Sequence, residues 1–209
     1  MSAENLNYEE GAEKAKRLAR ELGHFGLIYR KTLMPDLSPE SDSHHSWSLG
    51  LIGYELACTF EPELNAYKVY LFCGVHDLPE LISGDESTLL MTQEDHQQKA
   101  INDAEALEQL GPLIDAPHIY EALLEFEKLD SPEAKFAYWL DKLMTMLSHF
   151  FDGGDNLRAM GITTKADIDA WHDTILIKLN TNAPDTPKSA VVIFDLIFNE
   201  MRENSGLTD

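Results

Sequence analysis

The sequence predicts an all-α protein with about seven or eight helices. Apolar residues recur every three or four positions in most of the 209-residue chain, for example over residues 8–23 and again after Ser131. Helix-capping residues precede several of these segments, and no internal repeat or glycine-rich phosphate loop interrupts them. With 44% hydrophobic residues, a chain of this length can bury a sizeable core. We therefore expect residues 1–209 to form one helical domain.

The apolar pattern and the flanking residues place each helix. A first helix over residues 8–23 ends at glycines, and an exposed polar loop, which includes residues 38–43, follows it. Asp42 or Ser43 then caps a helix that ends near Thr59. Pro62 starts the next helix, which is strongly apolar and reaches His76. The remaining helices are expected at about 92–110, 117–129, 132–151, 163–181 and 187–204. A strand at the start of the last segment is the alternative.

Charge and composition exclude several function classes. The chain has 16 Lys and Arg against 37 Asp and Glu, so its net charge of -21 repels nucleic acid phosphates and acidic membrane surfaces. No apolar run approaches the roughly 18 to 20 residues of a membrane span, and residues 1–5 do not resemble a signal peptide. Cys58 and Cys73 lie among apolar residues and are predicted to be buried free thiols. We expect a cytoplasmic protein that binds neither a nucleic acid polymer nor a membrane.

The clearest chemical signal lies at the end of the apolar run before Leu78. His76 and Asp77 are adjacent, and Glu80 follows at helical spacing, so the three side chains would lean to one side of a helix. Imidazole and carboxylate together suit a divalent transition metal. Pro79 would kink such a helix. Because His-Asp pairs are also common at helix ends, polar surface remains the alternative for this segment alone.

Two other segments offer metal ligands. His45 is placed in the first turn of the helix that follows the polar loop, where a neutral imidazole can bind a metal. Asp141 lies inside an apolar helical pattern, where a carboxylate is costly unless it is paired or bound to a metal. Pairing with Lys142, or an outward orientation, is the alternative for Asp141.

The order His, His-Asp, Asp across three helices resembles the metal-dependent phosphohydrolases of the HD-domain family. Residues 44–48 (His-His-Ser-Trp-Ser) are similar to the family's Glu-His-Ser start, and residues 140–143 (Leu-Asp-Lys-Leu) resemble its closing aspartate. Residues 76–85 resemble the 5'-deoxynucleotidase-like subgroup, in which a proline after the His-Asp pair is tolerated. The resemblance covers about residues 25–150. It implies an HD-domain helical bundle, with the helices of residues 155–209 as an extension.

The resemblance also implies a metal centre with assigned roles. One divalent transition metal ion (Mn, Fe, Co, Ni or Zn) would be held by four ligands, His45, His76, Asp77 and Asp141. Glu80 would orient the attacking water or pass a proton to the leaving sugar oxygen. Asp85 would contact the sugar or hold the ligands in place. These two carboxylates are therefore the predicted catalytic residues.

Arg30 and Lys31 are the predicted substrate-binding residues. Arg30, fifteen residues before the first ligand, resembles the subgroup's arginine that grips the substrate phosphate. Lys31 stands where the subgroup usually has tryptophan, so an aromatic wall is lost and the nucleotide preference is open. His44 replaces the glutamate before the first ligand. We expect one metal; His96 or His118 would have to contribute to a second.

The resemblance thus predicts a phosphomonoesterase acting on (deoxy)nucleoside 5'-monophosphates or a similar small phosphate. One alternative is a pyrophosphohydrolase of guanosine polyphosphates, but that branch usually has an acidic pair where Leu81 follows Glu80 here. A non-catalytic metal- or nucleotide-binding module is the other alternative, against which the complete ligand set counts. Helix-rich acidic domains often dimerise, so a homodimer is also open.

Overall fold

Ten helices and one β-hairpin make up the part of the chain that the computed structural model describes, residues 7–86, 93–149 and 153–209. The helices are α1 (Tyr8–Phe25), α2 (Asp42–Phe60), α3 (Ala66–Val75), α4 (Glu80–Ser83), α5 (Gln93–Ile114), α6 (Pro117–Glu127), α7 (Pro132–Ser148), α8 (Asp155–Ala159), α9 (Lys165–Asn182) and α10 (Lys188–Asn204). Within these ranges, eight helices have ten or more residues and two are short. The all-α prediction is confirmed. The predicted helix limits at residues 92 and 151 lie outside the described residues.

The segment predicted as an exposed polar loop contains a β-hairpin. Strand β1 (Tyr29–Leu33) pairs antiparallel with β2 (Pro39–Ser41). Glu40 in β2 is buried, and its Oε2 accepts a hydrogen bond of 2.7 Å from the Thr32 hydroxyl. Ser41, rather than the predicted Asp42 or Ser43, caps α2 by accepting a hydrogen bond from the His44 backbone N–H. The hairpin therefore leads directly into the helix that carries His45.

Proline positions account for three differences from the predicted helices. α3 begins after Asn65, whose side chain caps it, and not at Pro62. Pro112 lies inside α5 and does not end it, because burial of Leu110 and Ile114 outweighs the one lost backbone bond. Pro79 lies between α3 and α4, so the predicted kinked helix is instead a turn between two helices.

The alternative of a strand near residue 191 is wrong, because α10 is helical from Lys188 onward. Cys73 is buried as predicted, but Cys58 is exposed on α2, so the prediction of two buried thiols is half wrong. None of the helices described is both long and apolar enough to cross a bilayer.

Close packing of α2, α3 and α7 brings the ends of these helices together. A Cβ atom at Gly53 of α2 would lie 3.1 to 3.3 Å from side-chain atoms of Val69, Cys73 and Leu140, so these neighbours would have to move by a few tenths of an ångström to accept one. The same core continues into the C-terminal helices, where Trp139 of α7 meets the edge of Phe194 of α10 at 5.6 Å. The core thus fixes both the helices that carry the motifs and those beyond them.

Gly154, just before α8, gives a test of the C-terminal packing. Its φ of +81° is left-handed, and an added Cβ would lie 2.3 Å from the Ser205 carbonyl oxygen. We expect Gly154→Ala to lower the free energy of unfolding by roughly 2 to 4 kcal/mol, since backbone strain and a backbone clash add. Urea denaturation measures this loss. Gly153→Ala is the control, because φ is +59° there but the added Cβ meets nothing. Equal losses would contradict the clash.

Candidate metal centre

The four predicted metal ligands converge on one point. His45 comes from the first turn of α2, His76 and Asp77 follow α3, and Asp141 lies in α7. His45 Nε2 lies 3.2 Å from Asp141 Oδ1 and 3.8 Å from Asp77 Oδ2. His76 Nε2 lies 3.1 Å from Asp77 Oδ2 and 3.6 Å from Asp141 Oδ1. Each of the two imidazole nitrogens therefore lies within 4 Å of a carboxylate oxygen of Asp77 and of Asp141. The ligand atoms of His45, His76 and Asp141 all lie within 4.8 Å of one another, and Asp77 also belongs to a neighbouring set with Asp42 and Glu80.

The donor atoms of this cluster fit a metal ion. The His76 Nδ1–H donates a hydrogen bond to the Cys73 carbonyl at 2.8 Å, which leaves the lone pair on Nε2 facing the carboxylates. His76 Nε2 is buried and has no hydrogen-bond partner. Electron-rich atoms this close require a cation between them. In the metal-free chain, a proton on His76 provides this positive charge. Burial disfavours the protonated ring, but Asp77 and Asp141 hold the pKa of His76 well above its ordinary value.

Glu40 supports the first ligand, and sequence reasoning missed it. Its Oε2 lies 3.7 Å from His45 Nδ1, and its Oε1 lies 3.3 Å from His44 Nδ1. Burial favours the neutral acid, but His45 and Thr32 nevertheless lower the pKa of Glu40 to about 2. An ionised Glu40 thus orients the His45 ring with its Nε2 toward the other ligands. His44, which stands in place of the family's glutamate, contacts the same carboxylate.

Arg30 reaches the predicted ligands from the hairpin. Its Nη1 lies 2.8 Å from Asp77 Oδ2 and 3.6 Å from Asp42 Oδ1, and its Nε lies 4.0 Å from Glu40 Oε2. Asp42 is fully buried, and sequence reasoning gave it only a capping role. Three carboxylates therefore hold the guanidinium at the edge of the cluster. Arg30 is a largely buried, paired cation and not a solvent-exposed surface residue.

Glu80 and Asp85 lie on the same side of the cluster. Carboxylate oxygens of Asp42, Asp77 and Glu80 all lie within 4.8 Å of one another. Burial, with the charges of Asp77 and Asp42, raises the pKa of Glu80 far above its ordinary value. Burial also raises the pKa of Asp85. Glu80 therefore carries a proton at neutral pH in the metal-free chain.

Asp141 pairs with Lys142 and also faces His45 and His76. Pairing with the lysine and a place among the predicted metal ligands are therefore compatible. Its Oδ2 accepts a hydrogen bond from Lys142, while its Oδ1 points toward both histidines. His118, offered as a contributor to a second metal, is 95% exposed and pairs with Glu121, so it does not take part. The side chain of His96 lies outside the described residues.

A cavity of about 550 Å³ opens onto the cluster, a size typical of small-molecule sites. Arg30, Lys31, Glu80 and Asp85 all line it beside the ligands. Lys31 is exposed, and its backbone carbonyl accepts a hydrogen bond from Asn156 Nδ2 at 2.8 Å. Seven of the eight residues predicted for the site thus line one cavity, and the eighth, His45, is buried within 4 Å of Asp77 and Asp141.

Comparison with known proteins places the fold. A family model described as the HD domain matches residues 27–176. The chain belongs to the HD-domain family. The matched range of this HD domain runs from the hairpin to α9 and includes all four predicted ligand residues.

One curated relative of the HD-domain chain is 5'-deoxynucleotidase hdd1 of Schizosaccharomyces pombe, 30% identical over 119 residues. The match covers 54% of this chain and 58% of the relative, so the chain spans little more than half of that protein. Among solved structures, a predicted metal-dependent phosphohydrolase from Magnetospirillum magnetotacticum has a TM-score of 0.72 at 23% identity, covering 95% of this chain and 98% of the other. The PH0347 protein of Pyrococcus horikoshii gives 0.58 at 20% identity, with 92% and 98% covered. These two structures show the shared fold.

Proposed function

We propose that this HD-domain protein is a metal-dependent phosphomonoesterase that acts on (deoxy)nucleoside 5'-monophosphates or a similar small phosphate. The convergence of His45, His76, Asp77 and Asp141 carries the proposal, because two imidazoles and two carboxylates suit one divalent transition metal. The similarity to a 5'-deoxynucleotidase supports the substrate class.

Each neighbouring side chain has a role in this proposal. When bound by the four ligands, the metal ion supplies water of lowered pKa and neutralises phosphate charge. Arg30 presents a planar guanidinium that fits two phosphate oxygens, and its carboxylate partners hold it beside the ligands. Glu80, whose pKa is raised by burial and by the charges of Asp77 and Asp42, donates a proton to the leaving sugar oxygen. Asp85 at the cavity wall accepts a hydrogen bond from a sugar hydroxyl.

We further propose that residues 1–209 act as one domain in a reducing compartment, the cytoplasm. The shared core of α7 and α10 supports the single domain. The two free cysteines support the compartment, since disulfides mark oxidising ones.

Phosphate release from purified, metal-loaded protein tests the proposed function. We expect orthophosphate from deoxynucleoside 5'-monophosphates and none without metal. Pyrophosphate released from guanosine polyphosphates, with no orthophosphate from monophosphates, would instead indicate the pyrophosphohydrolase. Bound nucleotide that is never hydrolysed, with any of the five candidate metals, would indicate a binding module.

A further inference from the structure

The end of the cavity beyond the ligands is built by α9, which the sequence motifs leave without a role. Trp171, Ile175 and Lys178 all line the cavity. Their spacing of four and three residues puts them on one face of the helix. Met160, at the end of α8, extends this wall. The C-terminal helices thus enclose the same space that the metal ligands and Arg30 enclose from the other elements.

Lys178 is the cation of this wall that lacks a partner. Within residues 7–86, 93–149 and 153–209 it makes no ion pair or hydrogen bond, although it is half-buried. The other lysines near it are paired: Lys99 Nζ lies 3.0 Å from Asp103 Oδ1, and Lys142 bonds Asp141. Burial and the positive charge of Lys142 lower the pKa of Lys178. Partial burial of a cation without a partner is costly unless an anion binds there.

Trp171 adds an apolar surface to the same wall. Its indole is half-buried and lines the cavity together with Leu107, Phe126 and Met160. A flat aromatic side chain favours stacking against a nucleobase or the apolar face of a sugar. The residues of β1 that line the cavity are Arg30, Lys31 and Thr32, none of which is aromatic. The indole on α9 therefore supplies a flat apolar surface that the hairpin does not provide.

We infer that α9 completes the substrate site: Lys178 binds a phosphate oxygen of the substrate, and Trp171 packs against its nucleobase. The inference rests on the proposed function for its substrate class. The anion is the phosphate group itself, and the apolar wall distinguishes a nucleotide from a bare sugar phosphate. Both residues act in binding, so their replacement changes KM more than kcat.

Steady-state kinetics of the full-length, metal-loaded protein test the role of Lys178. We expect Lys178→Met to raise KM for deoxyadenosine 5'-monophosphate about tenfold or more, since a charge-assisted hydrogen bond is lost. The inhibition constant of inorganic phosphate should rise in parallel, and Lys178→Arg should restore both. Lys188→Met, at an exposed lysine of α10, is the matched control. Unchanged KM and phosphate inhibition in Lys178→Met would overturn this half of the inference.

A pair of substrates tests the role of Trp171. We expect Trp171→Ala to raise KM for deoxyadenosine 5'-monophosphate about tenfold, from lost stacking, and to leave KM for deoxyribose 5-phosphate unchanged. Ile177→Ala, an exposed position of the same helix, is the control. An equal rise for both substrates, or none, would overturn the base contact.

Tryptophan fluorescence separates failure of this inference from failure of the proposed function. In metal-loaded Glu80→Gln, deoxyadenosine 5'-monophosphate should quench fluorescence saturably, and the additional change Trp171→Phe should abolish the quench. If the wild type hydrolyses no phosphate ester, such a quench would support the binding site and reject the phosphatase. Hydrolysis by the wild type with no quench that depends on Trp171 would reject the role of α9 and retain the enzyme.

Discussion

Replacing His76 with alanine is expected to abolish metal binding and lower phosphate release by roughly 1000-fold or more, since the charge stabilisation that the metal supplies is lost. His76 Nε2 is the buried, unpartnered atom that faces both carboxylates. Elemental analysis of purified wild type should find about one transition metal per chain and almost none in the variant. Asp141→Asn should behave alike while keeping a hydrogen-bond partner for Lys142.

His118→Ala is the matched control for this prediction. His118 is 95% exposed at the start of α6, so its removal should leave the metal content and the activity unchanged. Circular dichroism should show that all variants keep their helices. Full metal retention in folded His76→Ala and Asp141→Asn would mean that these side chains hold no metal, and the phosphohydrolase proposal would fail with them.

Three of the four predicted ligands were recognisable in the sequence because they stand out against an apolar pattern. Asp141 interrupts an apolar helix face, and His76 and Asp77 end an apolar run, so the sequence marks them as polar groups with a cost to offset. Their proximity in space depends on the tertiary structure, which hydrophobic periodicity alone does not predict. Only the order of the motifs, through the family resemblance, placed His45 beside them.

Glu40 and Asp42 were missed for the opposite reason, because they lie in a stretch that is polar throughout. Residues 38–43 contain no apolar residue except Pro39, so they indicate a loop. The structure buries Glu40 and Asp42 by pairing them with Thr32, His45 and Arg30. A buried strand stabilised by polar partners has no hydrophobic alternation to detect.

The wall on α9 was missed because only the tertiary structure places its residues at the same cavity as the predicted ligands. Trp171, Ile175 and Lys178 share a helix face, and that spacing was readable. A lysine on an otherwise apolar face was the one available signal. Pro79 shows the converse: local sequence predicted a kinked helix, whereas packing ends α3 at Val75 and starts α4 at Glu80.

Replacing Glu80 with glutamine is expected to lower kcat by about 10²- to 10⁴-fold, the typical contribution of a positioned general acid. Glutamine keeps the size of the side chain, but it has no proton to give the leaving oxygen. Because Glu80 is not among the four ligands, metal content should stay near one per chain. KM should change little, which separates this variant from those at Lys178 and Trp171.

The pH dependence of kcat tests whether Glu80 acts as a proton donor. Burial and the charges of Asp77 and Asp42 raise the pKa of Glu80, so the proton-bearing form extends to higher pH than that of an ordinary glutamate. Wild-type kcat should therefore fall as pH rises above that pKa, and the residual activity of Glu80→Gln should lack this alkaline limb. Glu63→Gln, at an exposed position outside the cavity, should keep both the rate and the limb. An alkaline limb retained in Glu80→Gln would assign the proton to another group, since glutamine cannot titrate.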